Sequence, residues 1–154
     1  MIALIQRVSR AQVDIAGAAV ATAGRGILAL IGVESGDSAR SGSRLLERVL
    51  TYRIFPDDAG RMNLDLRQID GDLLLVPQFT LVADTSRGTR PGFSGGAQPA
   101  EAAELFAGMV ACARGLHSRV SAGVFGADMQ VSLVNDGPVT FTLRVPPASE
   151  KQGG

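Results

Sequence analysis

The segment Asn-Asp-Gly-Pro-Val-Thr at residues 135–140 constrains the fold more than any other stretch of this chain. Apolar and polar side chains alternate over residues 129–133 and again over 139–143, which is the pattern of two β-strands. Asn, Asp and Gly favour a turn, while proline fixes its own φ and removes a backbone donor. Alone, the segment predicts a rigid hairpin between the two strands. The alternative is a backbone element that presents carbonyls to a ligand, with a cis X-Pro bond available at a cost of about 0.5–1 kcal/mol.

The rest of the pattern predicts one α+β domain. Apolar residues recur at helical spacing over about residues 38–52 and again from Pro99 to Gly115. Strand patterns cover residues 2–8, 12–15, 18–21, 26–33, 54–64, 72–81, 120–124, 128–134 and 139–145. Hairpin-length connections join most of them, which predicts a largely antiparallel or mixed sheet with two main helices packed on it. We expect the domain to span residues 1–145, followed by a flexible polar tail at 146–154.

Composition narrows the class of protein. The 154 residues are 45% hydrophobic and 19% charged, which indicates a globular domain. Fifteen basic residues, all but one of them arginine, balance fifteen acidic ones. This balance argues against a large electrostatic nucleic-acid surface but allows contact with a single-stranded RNA end. Cys112 lies in an apolar helical pattern and is interpreted as a small core residue. Without a signal-peptide pattern or an apolar run of about 18 residues, we expect a cytoplasmic protein with no membrane segment.

The sequence contains none of the usual catalytic or cofactor motifs. His117 is the single histidine and lies just past a helix stop, where a solvent-facing position is expected. A Ser-His-Asp triad is therefore a poor match, and no Cys/His cluster has the spacing of a metal site. The sequence has no Walker motif and no Gly-x-Gly-x-x-Gly after a strand. We expect no metal and no cofactor.

The segment Pro-Gln-Phe-Thr-Leu at residues 77–81 closes an otherwise apolar strand with a proline and two polar side chains. One interpretation is structural, with Gln78 and Thr80 half-buried on one face and Phe79 in the core. The other is functional: the strand ends at a pocket, where backbone donors and the Thr80 hydroxyl meet a substrate. This segment alone favours the structural interpretation.

Taken together, the two segments resemble a known family. Residues 77–81 are similar to the Ser-Gln-Phe-Thr-Leu motif of D-aminoacyl-tRNA deacylases, and residues 135–140 are similar to their Gly-Pro-x-Thr motif. The resemblance spans roughly residues 1–145 in order. It also includes ALIQRVSRA at 3–11, RIF at 53–55, GRMNL at 60–64, Arg90-Pro91 with Phe93, and FGADMQVSLVNDGP at 125–138. It implies the deacylase fold, in which the sheet closes toward a barrel.

The resemblance implies a homodimeric ester hydrolase of translation quality control. Such enzymes release D-amino acids, and glycine mischarged on alanine tRNA, from the terminal adenosine of tRNA. Gly137 and Pro138 would form a cis pair that crosses the dimer interface and excludes L-amino acids from the partner's site. Met129 matches a position near the pocket, and Arg7 matches one that braces the Gly-Pro loop. The structural alternatives are core filling for Met129 and a surface or interface ion pair for Arg7.

At the strand end, the resemblance implies catalytic positions at Gln78, Phe79 and Thr80. The Phe79 amide would stabilise the oxyanion, and Thr80 would act as a positioning hydroxyl or as a nucleophile. The sequence offers no base for a nucleophilic threonine, and the resemblance suggests that the 2′-hydroxyl of the RNA assists instead. Arg87 and Arg90, in the loop that follows, are candidates for phosphate contact or are simply solvated charges.

One departure from the family pattern concerns Pro77, where serine is usual. Proline removes a hydroxyl and a backbone donor at the edge of the expected site. A related branch of deacylases carries proline there, but it differs at the position of Phe79 and in the Gly-Pro region, where this chain keeps the common form. The D-specific hydrolase is therefore the leading hypothesis. The alternatives are a binding module that holds aminoacyl-adenosine without turnover, and a conventional Thr- or Ser-based esterase.

Overall fold

The computed structural model describes residues 1–148 and contains eight strands, two α-helices and one 3₁₀ turn in that range. The strands are β1 (Ile2–Ile15), β2 (Ala18–Ala23), β3 (Gly26–Gly32), β4 (Phe55–Pro56), β5 (Met62–Leu64), β6 (Asp72–Pro77), β7 (Val120–Ala122) and β8 (Gln130–Arg144). The helices are α1 (Ala39–Thr51) and α2 (Pro99–Leu116), and the 3₁₀ turn covers Phe79–Val82. Neither described helix is long and apolar enough to cross a membrane. The predicted tail begins at residue 146, and Pro147 within it is buried. Residues 149–154 of the predicted tail lie outside the described residues.

The sheet is mixed, as the sequence predicted. Its strand order is β2-β1-β3-β6-β7, with β8 also paired to β1. β1 runs antiparallel to β2, β3 and β8, whereas β3–β6 and β6–β7 are parallel pairs. Because β8 pairs with β1 along residues 2–14, the opposite edge of β1 is shared by β3 at residues 2–8 and β2 at residues 11–15.

Side-chain hydrogen bonds draw β2 toward the far strands of the sheet. The Ser121 hydroxyl of β7 donates to the Thr22 carbonyl of β2 at 2.9 Å. The Gly24 amide, just after β2, donates to Asp72 Oδ2 of β6 at 2.6 Å. The sheet therefore curls toward a barrel, which confirms that part of the expected fold.

Both predicted helices are present and pack on one face of the sheet. α1 buries Leu45, Leu46, Val49 and Leu50 as one apolar stripe. Ser38 begins this helix with a capping box, since its hydroxyl accepts from the Ser41 amide and the Ser41 hydroxyl accepts from the Ser38 amide. α2 begins at a proline, where the missing amide would have no partner within the helix. The main core lies between these helices and the sheet.

β8 is one continuous strand, so the predicted hairpin at residues 135–140 is wrong. Both halves of β8 pair antiparallel with β1. Gln6 of β1 pairs with Thr140, and Val8 of β1 pairs with Asn135. Four residues of β8, 136–139, therefore lie opposite the single residue Arg7 and protrude from the strand. The segment is a bulge, and its turn-forming residues bend the strand instead of reversing it.

His117 is buried, and the expectation that it faces solvent is wrong. Its Nε2 lies 2.6 Å from the Gly71 carbonyl oxygen, and its backbone amide donates to the Ala113 carbonyl at 2.9 Å. The end of α2 lies against the segment that leads into β6, so this contact covers the ring. The helix dipole alone does not set the exposure of this ring, because the segment before β6 packs against the helix end.

The Met1 ammonium group is buried and closes one end of the sheet. It donates to Glu34 Oε2 at 2.7 Å, to Asp37 Oδ1 at 2.8 Å and to the Val145 carbonyl at 2.7 Å. Arg144 makes a two-pronged contact with Glu34 from the other side. Burial raises the pKa of Glu34, but the hydrogen bonds and charges of Arg144 and the ammonium group outweigh it and hold that pKa below its ordinary value.

We predict that Glu34 stabilises the fold at neutral pH and loses this effect in acid. Its pKa is lower in the folded protein than in the unfolded chain, so its contribution is complete above the ordinary value of 4.5. The contribution disappears as pH falls through the folded pKa. Thermal unfolding of wild type and Glu34→Gln should therefore differ most near neutral pH and converge in acid. Glu104→Gln, at an exposed glutamate of α2, controls for the loss of charge, and a pH-independent gap would contradict the prediction.

Candidate active site

β6 ends at Pro77, where the chain turns into the 3₁₀ segment, so the predicted strand over residues 72–81 is too long. The Gln78 amide donates to the Ile31 carbonyl of β3 at 2.7 Å and extends the pairing of β6 with β3 by one residue. The Leu81 amide then donates to the Gln78 carbonyl at 3.2 Å, which closes the turn. The strand therefore ends, and the turn begins, within the Pro-Gln-Phe-Thr-Leu segment.

Pro77 fits the end of β6 without the expected loss of a ladder hydrogen bond. In a parallel sheet, alternate residues direct their backbone groups toward opposite neighbours. Gln78 bonds toward β3, whereas the Leu75 carbonyl accepts from the Gly123 amide on the β7 side at 2.8 Å. The backbone nitrogen of residue 77 therefore faces the β7 side, where the strand has already ended at Ala122.

The 3₁₀ turn begins with two backbone donors. The first N–H groups of a helical turn have no acceptor within that turn. In the described part of the chain, the Phe79 and Thr80 amides donate to no other group. Gln78 Nε2 donates to Thr80 Oγ1, so this hydroxyl already accepts one bond and its hydrogen can be donated. Two amides and one hydroxyl are thus grouped at the strand end.

Two glycines allow this turn to pack closely on its surroundings. A Cβ on Gly32 of β3 would lie 3.0 Å from Leu81 Cβ and 3.1 Å from Val82 Cγ1. A Cβ on Gly96 would lie 3.0 Å from Val82 Cγ2. Since ordinary carbon contacts lie at about 3.5–4.0 Å, side chains at these positions would push the turn outward. Glycine at positions 32 and 96 therefore fixes the depth at which the turn sits.

The turn forms one wall of a pocket of about 610 Å³. The other walls come from the end of β3, the start of α2 and residues 125–131. Within the described residues, Gln78 and Gln98 are the polar side chains of the lining, and the rest is apolar or glycine. The lining residues are Ile31, Val33, Val76, Pro77, Gln78, Phe79, Val82, Phe93, Gly96, Ala97, Gln98, Pro99, Ala102, Phe106, Phe125, Gly126, Ala127, Met129 and Val131.

Phe79 lines this pocket with 62% of its surface exposed, so the interpretation that placed it in the core is wrong. Its ring packs on Phe93, with 5.2 Å between centroids and an interplanar angle of 47°. Phe93 is held by a loop in which Asp84 and Gly92 exchange backbone hydrogen bonds of 2.7 and 3.0 Å. Hydrogen bonds from Ser86 lower the pKa of the Asp84 carboxyl group. The pocket therefore has an exposed pair of aromatic rings on an ordered loop and turn.

Met129 also lines the pocket, and it is half-buried against the second core cluster. A Cβ on Gly123 would lie 2.9 Å from its sulfur, so the thioether occupies space that a larger neighbour would fill. Met129 therefore lines the pocket and also packs against the core, so its two sequence-based interpretations are compatible.

Gly137 and Pro138 lie in the bulge of β8 and are joined by a cis peptide bond. Gly137 has a φ of +149°, which L side chains rarely adopt. A Cβ there would also lie 2.6 Å from Val139 Cγ2. The backbone of this segment therefore requires glycine at position 137.

Two side chains hold the bulge in place. Arg7 is largely buried and donates from Nε to the Asp136 carbonyl at 2.8 Å and from Nη1 to the Ile54 carbonyl at 2.6 Å. Asn135 spans the bulge from the other side: its Oδ1 accepts from the Val139 amide at 2.6 Å, and its Nδ2 lies 3.3 Å from the Val139 carbonyl. The bulge is thus fixed at both of its ends.

The structure divides the predicted site residues into two groups. Residues 78 and 79 and Met129 line the pocket, and Thr80 is hydrogen-bonded to its neighbour Gln78. Arg7 and the Gly137–Pro138 pair form the second group, which is not part of the pocket lining among the described residues.

Sequence reasoning missed three residues that shape these groups: Gly32, Gly96 and Asn135. Gly32 lies near the end of the apolar strand pattern over residues 26–33, which gives no sign of a close contact. Asn135 was interpreted only as a turn former, although an asparagine next to Asp-Gly-Pro is well suited to bonding the backbone a few residues on. The close contacts of the two glycines leave no comparable signal in the sequence.

Fold and site together define a class of protein: a mixed-sheet α+β domain with an apolar pocket where a central strand ends. Such pockets bind small molecules or the end of a larger ligand, and the few polar groups orient it.

Comparisons with known proteins give the family. The family model described as D-Tyr-tRNA(Tyr) deacylase matches residues 4–144. The chain is 54% identical over 148 residues to a D-aminoacyl-tRNA deacylase of Nitrosococcus oceani, covering 96% of each. It is 57% identical over 147 residues to the protein of that name in Thioalkalivibrio sulfidiphilus, covering 96% of this chain and 99% of the other. The solved c-Myc DNA Unwinding Element Binding Protein, 32% identical, has a TM-score of 0.91 over 95% of this chain and 99% of its own. The chain therefore belongs to the D-Tyr-tRNA(Tyr) deacylase family.

We predict that Gly32→Ala lowers the free energy of unfolding by about 1–3 kcal/mol, because the added methyl group overpacks the seat of the 3₁₀ turn. Gly108→Ala is the matched control. Gly108 lies within α2, and a methyl group added there would meet open space, so alanine should stabilise the helix by about 0.5–1 kcal/mol. Chemical denaturation of the two variants would measure both effects, and equal stability would contradict the packing argument.

Proposed function

We propose that this protein is a D-aminoacyl-tRNA deacylase, a hydrolase that cleaves the ester between a D-amino acid and the terminal adenosine of tRNA. Family membership supports this function, since the relatives described above carry that name. The observation that carries it is the pocket at the end of β6: two aromatic rings line it, and the turn that forms one of its walls carries two backbone donors and one hydroxyl group. The protein would act in the cytoplasm, in the quality control of translation.

The Phe79 and Thr80 amides would bind the ester carbonyl. Negative charge develops on this oxygen as water attacks, and fixed N–H donors at that position lower the barrier. Loss of one such donor typically costs about 10²–10³ in kcat. Because the turn is packed against Gly32 and Gly96, these amides need no rearrangement when the charge forms.

Thr80 would position the substrate, and the substrate's own 2′-hydroxyl would assist the attack. The Thr80 oxygen accepts a hydrogen bond from Gln78, which leaves its hydrogen to be donated to a substrate oxygen. A nucleophilic threonine needs a neighbouring base, whereas this lining is apolar apart from two amide side chains in the described residues. When the amino acid is esterified to the 3′ oxygen of the terminal ribose, the 2′-hydroxyl is adjacent to the ester, so it is available for proton transfer.

Phe79 and Phe93 would stack on the terminal adenine. Exposed aromatic rings bind unpaired bases through their faces, and each such contact is worth about 1–3 kcal/mol. Both rings are exposed at the pocket, and their mutual packing fixes them. The neutral, largely apolar lining suits the uncharged nucleobase.

Gly137 and Pro138 would select chirality in the pocket of the partner subunit of a homodimer. The bulge that carries them leaves the ladder of β8 and is not part of its own pocket lining in the described residues. β8 also exposes Val131, Val134 and Phe141, which supports the packing of a second copy against this strand. The bulge carbonyls would crowd an L side chain and leave a D side chain free, and glycyl-tRNA would also be accepted because glycine has no side chain.

The first test is hydrolysis of matched D- and L-aminoacyl-tRNA. Wild type should release the D-amino acid and spare the L-ester. Thr80→Ala should fold normally and lower kcat for the D-ester by roughly 10- to 100-fold, since a misplaced ester reacts slowly. Tight binding of the D-ester without hydrolysis would instead identify a binding module, and hydrolysis of both esters would refute chiral selection.

Replacement of the terminal 2′-hydroxyl by hydrogen should lower the hydrolysis rate by roughly 10²–10⁴, the range of a lost proton-transfer group. The affinity for the 2′-deoxy ester, measured separately, should change much less. An unchanged rate on the deoxy substrate would favour the conventional esterase mechanism.

Asn135→Ala should reduce the preference for D- over L-esters more than it reduces hydrolysis of the D-ester. The variant loses the side chain that spans the bulge, while the strand-end donors stay in place. The ratio of kcat/KM for the two esters is the measurement, with circular dichroism as the check on folding. A parallel loss of both activities would show that the bulge supports the fold and not selection.

A further inference from the structure

The exposed face of α1 carries a ridge of arginines. Arg40, Arg44 and Arg48 lie four residues apart on this helix and are all exposed, and we call them the arginine ridge. Residues at this spacing are neighbours on a helix surface, and like charges there repel one another. Glu47 is the single acidic residue of the helix. The ridge is therefore a concentrated positive surface in a chain whose formal net charge is +0.

The ridge borders a second cavity, between α1 and the end of β8. This cavity measures about 440 Å³, and its lining includes Arg44, Arg48, Thr51 and Arg144. Arg48 Nη1 donates to the Arg144 carbonyl at 3.0 Å, which ties the helix to the strand at the cavity edge. Glu47 is the single carboxylate in the lining within the described residues. Arg44 and Arg48 of α1 thus line one concave surface, and Arg144, whose guanidinium group is already paired with Glu34, forms its far side.

The cavity lies at the same end of the sheet as the pocket. Ile2 of β1 pairs with Arg144 of β8 on one side and with Gly32 of β3 on the other. Gln78 bonds to the Ile31 carbonyl, so it follows in the same row. Arg144 and Gln78 are therefore three strand spacings apart, roughly 14 Å at about 4.8 Å per spacing. A few nucleotides of a single strand can span that distance.

We propose that the arginine ridge and its cavity bind backbone phosphates of the RNA whose 3′ end occupies the pocket. Guanidinium groups match phosphate oxygens in a two-pronged geometry, and the concave surface allows several of them to reach one strand. RNA is the favoured polyanion because the cavity that the ridge borders lies within a few nucleotides of the proposed aminoacyl-adenosine pocket. This inference rests on the proposed function and adds to it the surface that grips the body of the substrate.

The test compares two substrates that differ in their phosphates: full-length D-aminoacyl-tRNA and D-aminoacyl-adenosine. Arg44→Glu should lower kcat/KM for the tRNA roughly tenfold relative to that for the adenosine ester, mainly through KM. The slope of log affinity against log salt should fall by about one. Glu47→Gln should shift the same ratio in the opposite direction.

Arg114→Glu is the matched control, because Arg114 is an exposed arginine of the other helix and undergoes the same change of charge. Equal effects of Arg44→Glu and Arg114→Glu, or no effect of either on the ratio, would overturn the proposal. Binding of tRNA that carries no amino acid, measured with the same variants, distinguishes failure of this proposal from failure of the proposed function. If wild type hydrolyses neither ester, the proposed function fails, while a selective loss of tRNA binding in Arg44→Glu still supports the ridge.

Discussion

The pairing of β1 along both of its edges is the constraint on which the rest of the structure depends. On one edge, β3 sets the register of β6 and thereby places the strand end and its 3₁₀ turn. On the other edge, β8 sets the position of the Gly-Pro bulge. Arg7 lies in the middle of β1, between these two regions, and holds the bulge through the Asp136 carbonyl. A shift of β1 by one residue would turn its inward side chains outward, and it would displace both the strand end and the Gly-Pro bulge.

Close packing turns the strand end into a rigid site. The turn begins where β7 no longer covers β6, and its first two amides donate to no group among the described residues. Gly32 and Gly96 allow the turn to sit at van der Waals distance from the sheet and the loop. Fixed donors of this kind stabilise charge without reorganisation, which is the advantage of backbone amides over flexible side chains. The Pro77 ring is compatible with this arrangement because its nitrogen faces an unpaired edge.

The sequence predicted both helices and the mixed sheet because these depend on periodic apolar residues. It divided β1 into two strands, since Ser9 and Arg10 are exposed and interrupt the apolar pattern while the backbone pairing continues. The hairpin error has a related cause. Turn-forming residues report a local bend, but they do not reveal that β1 is long enough to pair with both halves of β8. Phe79 looked like a core residue because period-two alternation was extended past Pro77, where the turn redirects the side chain. The site residues came from the family resemblance, whereas the contacts of Gly32 and Asn135 required the structure.

In the function we propose, the distribution of charge would separate attraction of the RNA from chemistry on its end. The pocket lining within the described residues is neutral, so it offers no charged group that would favour one amino-acid side chain over another. At physiological ionic strength the Debye length is about 8 Å. Arg144, at the edge of the cavity that the arginine ridge borders, lies roughly 14 Å from Gln78, so the field of charges at this edge reaches the pocket strongly screened. Charges at this distance can hold phosphates without altering the environment of the ester. In the function we propose, selection would rest on backbone shape at the Gly-Pro bulge, which would respond to the chirality of the amino acid and not to its charge.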